Sequence, residues 1–185
     1  MTRATLISVP GLVRIKPGAL ARLGLYLRRG GHARVLVLAS LGLPASVAEA
    51  ARSGLAAEGV EAAAWTEVAE NSFEDAARLF AGMPGKVSAV VGLGGGKALD
   101  MAKYLAFLAR LPYFAAPTSL SNDGFCSPQS SLTMAGRRRS LAAALPQGVV
   151  MDVEVCLAAP RLLWLSGVGD LASKLTAVFD WKLAF

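Results

Sequence analysis

Histidine is all but missing from this 185-residue chain, which holds one, and cysteine is scarce at two. A single imidazole excludes a metal centre built from several histidines. The two cysteines, Cys126 and Cys156, exclude a disulfide framework. Both stand in apolar or loop contexts and read as reduced thiols of a cytoplasmic protein. Charge is sparse as well: charged residues make up 17% and aromatics 7%. The net charge of +6 comes from 19 Lys and Arg against 13 Asp and Glu. The basic residues are scattered apart from one run, Arg137 to Arg139, which reads as a solvated hairpin tip. They are not gathered on one face with aromatics between them, so no nucleic-acid partner is expected. The N-terminal MTRATLISVPG lacks the apolar core and cleavage site of a signal peptide. No charge-free apolar stretch is long enough to cross a bilayer, since Pro146 and Gly148 break the run from Ser140 to Met151, and no membrane span is expected.

What the chain does have is apolar residues, 54% of the total, enough for a sizeable core and too many for disorder. They come in alternating elements. Thr5 to Val9 and Leu12 to Ile15 read as strands around Pro10-Gly11, and Pro17 to Arg29 as a helix closed by Gly30-Gly31. Arg34 to Ala39 is a continuous apolar run, as a strand buried on both faces must be. Ala45 to Glu58 reads as helix and Val60 to Trp65 as strand. A helix capped by Asn71 or Ser72 runs to about Ala81. Strand Val87 to Leu93, helix Lys97 to Arg110 and strand Tyr113 to Ala116 follow. This alternation predicts a parallel α/β sheet. Ser130 to Met134 and Ser140 to Ala144, flanking residues 135–139, predict a β-hairpin. Gly148 to Asp152 reads as a strand, and the chain from Pro160 onward as helix.

The sharpest local signal is Ser88-Ala-Val-Val-Gly-Leu-Gly94-Gly95-Gly96-Lys97-Ala98-Leu99-Asp100. An apolar strand runs into glycines, and a helix starts at once. Glycines let the backbone approach a phosphate, and the helix start offers unpaired N–H groups and partial positive charge. The spacing is neither the dinucleotide fingerprint G-x-G-x-x-G nor a P-loop. A second polar loop, Thr118-Ser-Leu-Ser-Asn-Asp123-Gly-Phe-Cys-Ser127-Pro, follows the next strand, at the edge where parallel sheets bind ligands. Its hydroxyls can hold ribose and phosphate, and Asp123 can accept from a substrate hydroxyl; Ser, Asn and Asp also build turns.

Together with Ser166-Gly-Val-Gly-Asp170, these two loops resemble the superfamily of 3-dehydroquinate synthase, glycerol dehydrogenase and iron-containing alcohol dehydrogenases. Within it, Ser-Asn-Asp-Gly-x-x-Ser-Pro is most similar to the glycerol-1-phosphate dehydrogenases. The resemblance implies a Rossmann-like parallel-sheet domain with a β-hairpin over residues 1–159. Residues 160–185 would be the first helix of a truncated, all-α metal-binding domain. It implies NAD or NADP held by Gly94, Gly95, Gly96, Lys97, Ala98, Leu99 and Asp100, and by Thr118, Ser119, Leu120, Ser121 and Ser127. Asp123 and Asp170 would be the catalytic, substrate-binding carboxylates, and Asp170 also a ligand of a catalytic zinc. The implied reaction is metal-assisted hydride transfer between dihydroxyacetone phosphate and sn-glycerol 1-phosphate. A dehydrogenase of an unphosphorylated polyol such as glycerol, or a non-catalytic nucleotide-binding module, are the alternatives.

The chain departs from that family in its metal ligands. Family members add two histidines to the Asp, whereas His32 sits beside Gly30-Gly31 and reads as a turn residue. The closing Trp181-Lys-Leu-Ala-Phe185 is apolar and carries no helix-stop signal. Both features are expected of the N-terminal portion of a longer protein, with cofactor binding but no turnover by itself. The uncovered apolar helix would also favour a homo-oligomer. No acidic residue or Arg lies in Ala39 to Leu43 to select between NAD and NADP.

Overall fold

The computed structural model describes residues 9–184. The expected strand Thr5 to Val9 lies almost wholly outside the described residues. Six parallel strands form one sheet in the order β1-β8-β5-β4-β2-β3. They are β1 (Leu12–Lys16), β2 (Arg34–Ser40), β3 (Glu61–Val68), β4 (Ala89–Gly94), β5 (Tyr113–Pro117) and β8 (Pro146–Asp152). The helices are α1 (Leu23–Arg29), α2 (Ala45–Ala57), α3 (Phe73–Ala81), α4 (Gly96–Ala109), α5 (Val153–Leu157) and α6 (Arg161–Ala184).

Alternation along β2 explains the two layers. Val35, Val37 and Ala39 face a core shared with Leu23, Leu27, Ala51 and Leu55 of α1 and α2. Leu36 and Leu38 face the opposite core, with Met101, Ala102 and Leu105 of α4. Both faces are therefore buried, and the strand needs the continuous apolar run that the sequence has. Helices α2 and α4 follow the adjacent strands β2 and β4 but cover opposite faces. Such a divergence opens a crevice at the carboxyl ends of the two strands.

Three expectations are corrected. Residues 17–22 are not α-helix: Leu20–Arg22 is a 3₁₀ turn and α1 starts at Leu23. Gly18 takes φ +66°, and the carboxylate of Asp152 accepts from the N–H groups of Gly18 and Leu20 at 3.2 and 3.1 Å, which fixes an irregular entry. The hairpin is β6 (Gln129–Met134) with β7 (Arg137–Ala142), closed by Ala135-Gly136 at φ +48° and +73°. That two-residue turn with positive φ matches the right-handed twist of a hairpin. The arginine run is thus a strand and not a tip. His32 is not a turn residue but follows the Gly30-Gly31 turn and is buried, with Nε2 3.2 Å from Gln147 Oε1 and its ring edge-on to Phe114.

Helix α6 is 24 residues long and has no buried residue. By length and composition it is long enough to cross a membrane, although Asp170 and Lys174 lie within it.

Candidate functional site

The glycine turn sits at the crevice. Gly94 takes φ +137°, and a Cβ there would fall 2.2 Å from Ser40 Oγ, so only glycine fits. Ser40, at the end of β2, accepts from the Gly95 N–H at 3.0 Å and locks the turn to the neighbouring strand. Gly95 and Gly96 differ. Neither has positive φ, and a Cβ on either would meet nothing within 4 Å. The fold does not require glycine at these two places. Gly95 is the N-cap of α4 and offers no side-chain cap, whereas Ser72 caps α3 through the Asp75 N–H. The first-turn N–H groups of α4 therefore point outward unsatisfied by any side chain. Ala98 and Leu99 turn their side chains into the core, so they can offer a ligand little besides backbone.

Two clefts flank the turn. One, of about 320 Å³, is lined by Gly96, Lys97, Asp100, Ser119, Ser121 and Arg138, among others. The other, of about 460 Å³, runs between the Ser40–Val47 segment, Gly95, Thr118 and Leu163. A third space of about 280 Å³ is lined by Leu120, Asp123, Phe125, Trp164 and Asp170. Gly94 to Asp100 and Thr118 to Ser121 are thus brought together. Ser127 stands apart, donating its hydroxyl to the Gln129 carbonyl at 3.1 Å. Lys97 reaches out of the cleft to both carboxylate oxygens of Glu70 at 2.8 Å.

Burial sets the electrostatics under the clefts. Lys103 has a side chain that is 0% exposed. Its ammonium donates to the carbonyls of Gly124 at 2.6 Å and Gln129 at 2.8 Å and lies 3.4 Å from Asp100. Burial pushes the Asp100 carboxyl up from its ordinary value, a rise that Lys103 partly offsets. Burial likewise lowers Lys103, and Asp100 partly restores it. Burial also raises both thiols, Cys156 to about 11.

Asp123 and Asp170 meet across the chain. The Asp123 N–H donates to Asp170 Oδ2 at 3.2 Å. Lys174 Nζ lies 3.2 Å from Asp123 and 3.5 Å from Asp170, and the Asp123 contact foremost raises its affinity for a proton. A Cβ on Gly167 would lie 1.9 Å from the Leu120 carbonyl, so glycine there lets α6 approach the loop. Among the described residues no group of three or more His, Cys, Asp or Glu is placed to hold a metal ion. One ammonium between two carboxylates does not fit a zinc centre, which takes about three protein ligands.

Ser40, Lys103, Arg138 and Lys174 were not foreseen from the sequence. The bonds of Ser40 to Gly95 and of Lys103 to Gly124 and Gln129 join positions 55, 21 and 26 apart, which no local pattern announces.

Residues 14–160 match the family model for iron-containing alcohol dehydrogenase. The chain is 40% identical over 180 residues to a glycerol-1-phosphate dehydrogenase [NAD(P)+] of Thermofilum pendens, covering 95% of this chain and 50% of that one. It is 35% identical over 188 residues to the protein of the same description in Aeropyrum pernix, covering 96% and 51%. The chain spans about half the length of the curated relatives it matches. The crystal structure of glycerol dehydrogenase from Schizosaccharomyces pombe superposes with a TM-score of 0.80 at 26% identity, over 93% of this chain and 44% of that one. With its parallel sheet, its glycine turn and a match over most of its length, the chain belongs to the iron-containing alcohol dehydrogenase family.

Proposed function

We propose that this chain is the nucleotide-binding half of an NAD(P)-dependent dehydrogenase that interconverts dihydroxyacetone phosphate and sn-glycerol 1-phosphate. The observation that carries the nucleotide site is the pair Gly95 and Gly96. The fold leaves room for a Cβ at both. Glycine at both, ahead of an uncapped helix start, suits a phosphate that must approach the backbone closely. The substrate reading rests on the likeness to glycerol-1-phosphate dehydrogenases 35–40% identical.

In this reading Gly94, Gly95, Gly96 and Lys97, with the backbone at Ala98 and Leu99, cradle the pyrophosphate. Asp100 borders the pyrophosphate as well, Thr118, Ser119, Leu120 and Ser121 form the second cofactor segment, and Ser127, set apart on its loop, is a further cofactor contact. Asp123 takes a substrate hydroxyl. The nicotinamide supplies the hydride, and the protein supplies orientation. Asp170 would be one ligand of a divalent metal such as zinc. The described residues do not complete such a centre. Residues 9–159 form the dinucleotide domain, and α6 begins the helical one. A cytoplasmic setting follows from the two reduced thiols.

The test is a fluorescence titration with NADH and with NADPH, comparing wild type and Gly95→Asp. A carboxylate on the turn repels pyrophosphate and fills the approach. Saturable binding that the substitution abolishes is expected. Absence of binding by either dinucleotide overturns the reading for this chain.

A further inference from the structure

The hairpin strand β7 carries three consecutive arginines, and the geometry separates one from the other two. Arg139 pairs across the hairpin with Leu132, which is turned into the core, and Arg137 pairs with Met134. Successive residues of a strand point to opposite faces. Arg138 therefore shares the other face with Thr133, its partner, and with Ser131. Of the three, Arg138 lines the 320 Å³ cleft that also contains Gly96, Lys97 and Ser119. Its Nε donates to Ser131 Oγ at 3.0 Å, which orients the guanidinium and leaves both terminal nitrogens without that bond. Among the described residues Arg138 makes no ion pair, whereas Lys97 at the same cleft is paired with Glu70. Asp100 lines the same cleft and feels the Arg138 charge, but its ion pair is with Lys103, at 3.4 Å.

We infer that Arg138 is a phosphate-binding residue, the cationic wall that faces the α4 N-terminus across the cleft and grips the pyrophosphate of a bound dinucleotide. The inference rests on the nucleotide-site reading above. A planar guanidinium held by one side-chain contact presents two parallel donors, the arrangement that matches phosphate oxygens. The hairpin thus serves the site as well as the core. It is fixed to the body by the Asn71 side-chain amide, which donates to the Ser131 carbonyl at 2.7 Å, and by the bridge between Ser72 and Thr133.

The experiment is an NADH titration of the 185-residue chain at low and high KCl, with Arg138→Gln, Arg138→Lys, Arg137→Gln and Arg139→Gln. Thermal melts establish that each variant folds. Arg138→Gln is expected to weaken NADH by about tenfold, the loss of one charge-assisted hydrogen bond. It should also bind with less dependence on salt, because a screened attraction is gone. Arg138→Lys should recover part of the affinity. Arg137→Gln and Arg139→Gln should stay within about twofold of wild type, as solvated charges do. Saturable wild-type binding that Arg138→Gln leaves unchanged overturns the role of Arg138 alone. An equal loss in all three glutamine variants also overturns it, since that reports overall charge. No binding by wild type overturns the nucleotide site itself.

Discussion

Three adjacent glycines at one turn invite a single explanation, yet the residues answer to different forces. Gly94 is demanded from inside the protein, by φ +137° and the Ser40 hydroxyl 2.2 Å from where its Cβ would be. Gly94→Ala should cost about 3 kcal/mol, combining backbone strain with overpacking. A fall of roughly 6–12 °C in Tm by differential scanning fluorimetry is the expected reading. Gly95→Ala and Gly96→Ala should leave Tm within about 2 °C, or raise it, because alanine restricts the unfolded chain. NADH affinity should nonetheless drop by about tenfold in either variant if a phosphate seats against that backbone. Equal loss of stability in all three would mean that the fold, and not a ligand, requires each glycine. The position of the turn was legible in the sequence, because a strand, glycines and a helix are contiguous there. The difference among the glycines was not, since it depends on Ser40, a residue 54 positions before Gly94 that only the sheet brings alongside.

Helix α4 is the element that joins the site to the fold. Its start offers backbone N–H groups to the cleft, its apolar face fills a core, and Lys103 in its third turn holds both Gly124 and Gln129 by their carbonyls. Ser130 adds a hydrogen bond of 2.9 Å to the Asp100 carbonyl oxygen. The sequence identified α4, but a lysine on a helix looks solvated until the loop that covers it is known. The same gap misplaced β7, since three arginines carry no apolar alternation to mark a strand, and missed α5, whose five residues are too short for a helical period. Burial beside Lys103 has a consequence for pH. The folded Asp100 carboxyl holds its proton more tightly than the ordinary value of 3.8. Its contribution to stability is then fully present below 3.8 and lost as pH rises through the raised folded value. Urea midpoints for wild type and Asp100→Asn, compared from pH 7 to pH 4, should diverge in favour of wild type as pH falls. A difference that is flat with pH, or that moves the other way, would show that Lys103 keeps Asp100 ionised.

At the scale of the whole molecule the chain divides into a sheet sealed on both faces and a helix that is nearly all surface. Strands β4 and β5 are buried at every position, whereas Leu162, Leu171 and Leu175 of α6 are 69–72% exposed. Local opening costs least where few apolar contacts must break. Helix α6 meets the body through Gly167 against Leu120 and through Asp170 and Lys174 against Asp123, all in its first two thirds. Most helical stability in proteins comes from tertiary packing, and α6 buries none of its residues. Native-state hydrogen exchange should therefore find the amides beyond Asp180 exchanging about a hundredfold or more faster than those of β4 and β5. The amides around Asp170 should fall between, and Lys174→Ala should bring them toward the fast limit, since the ammonium that ties Asp123 to Asp170 is gone. Uniform protection along α6 would mean instead that its exposed apolar side chains are covered in solution, by another copy of the chain, and the concentration dependence of that protection would then measure the association.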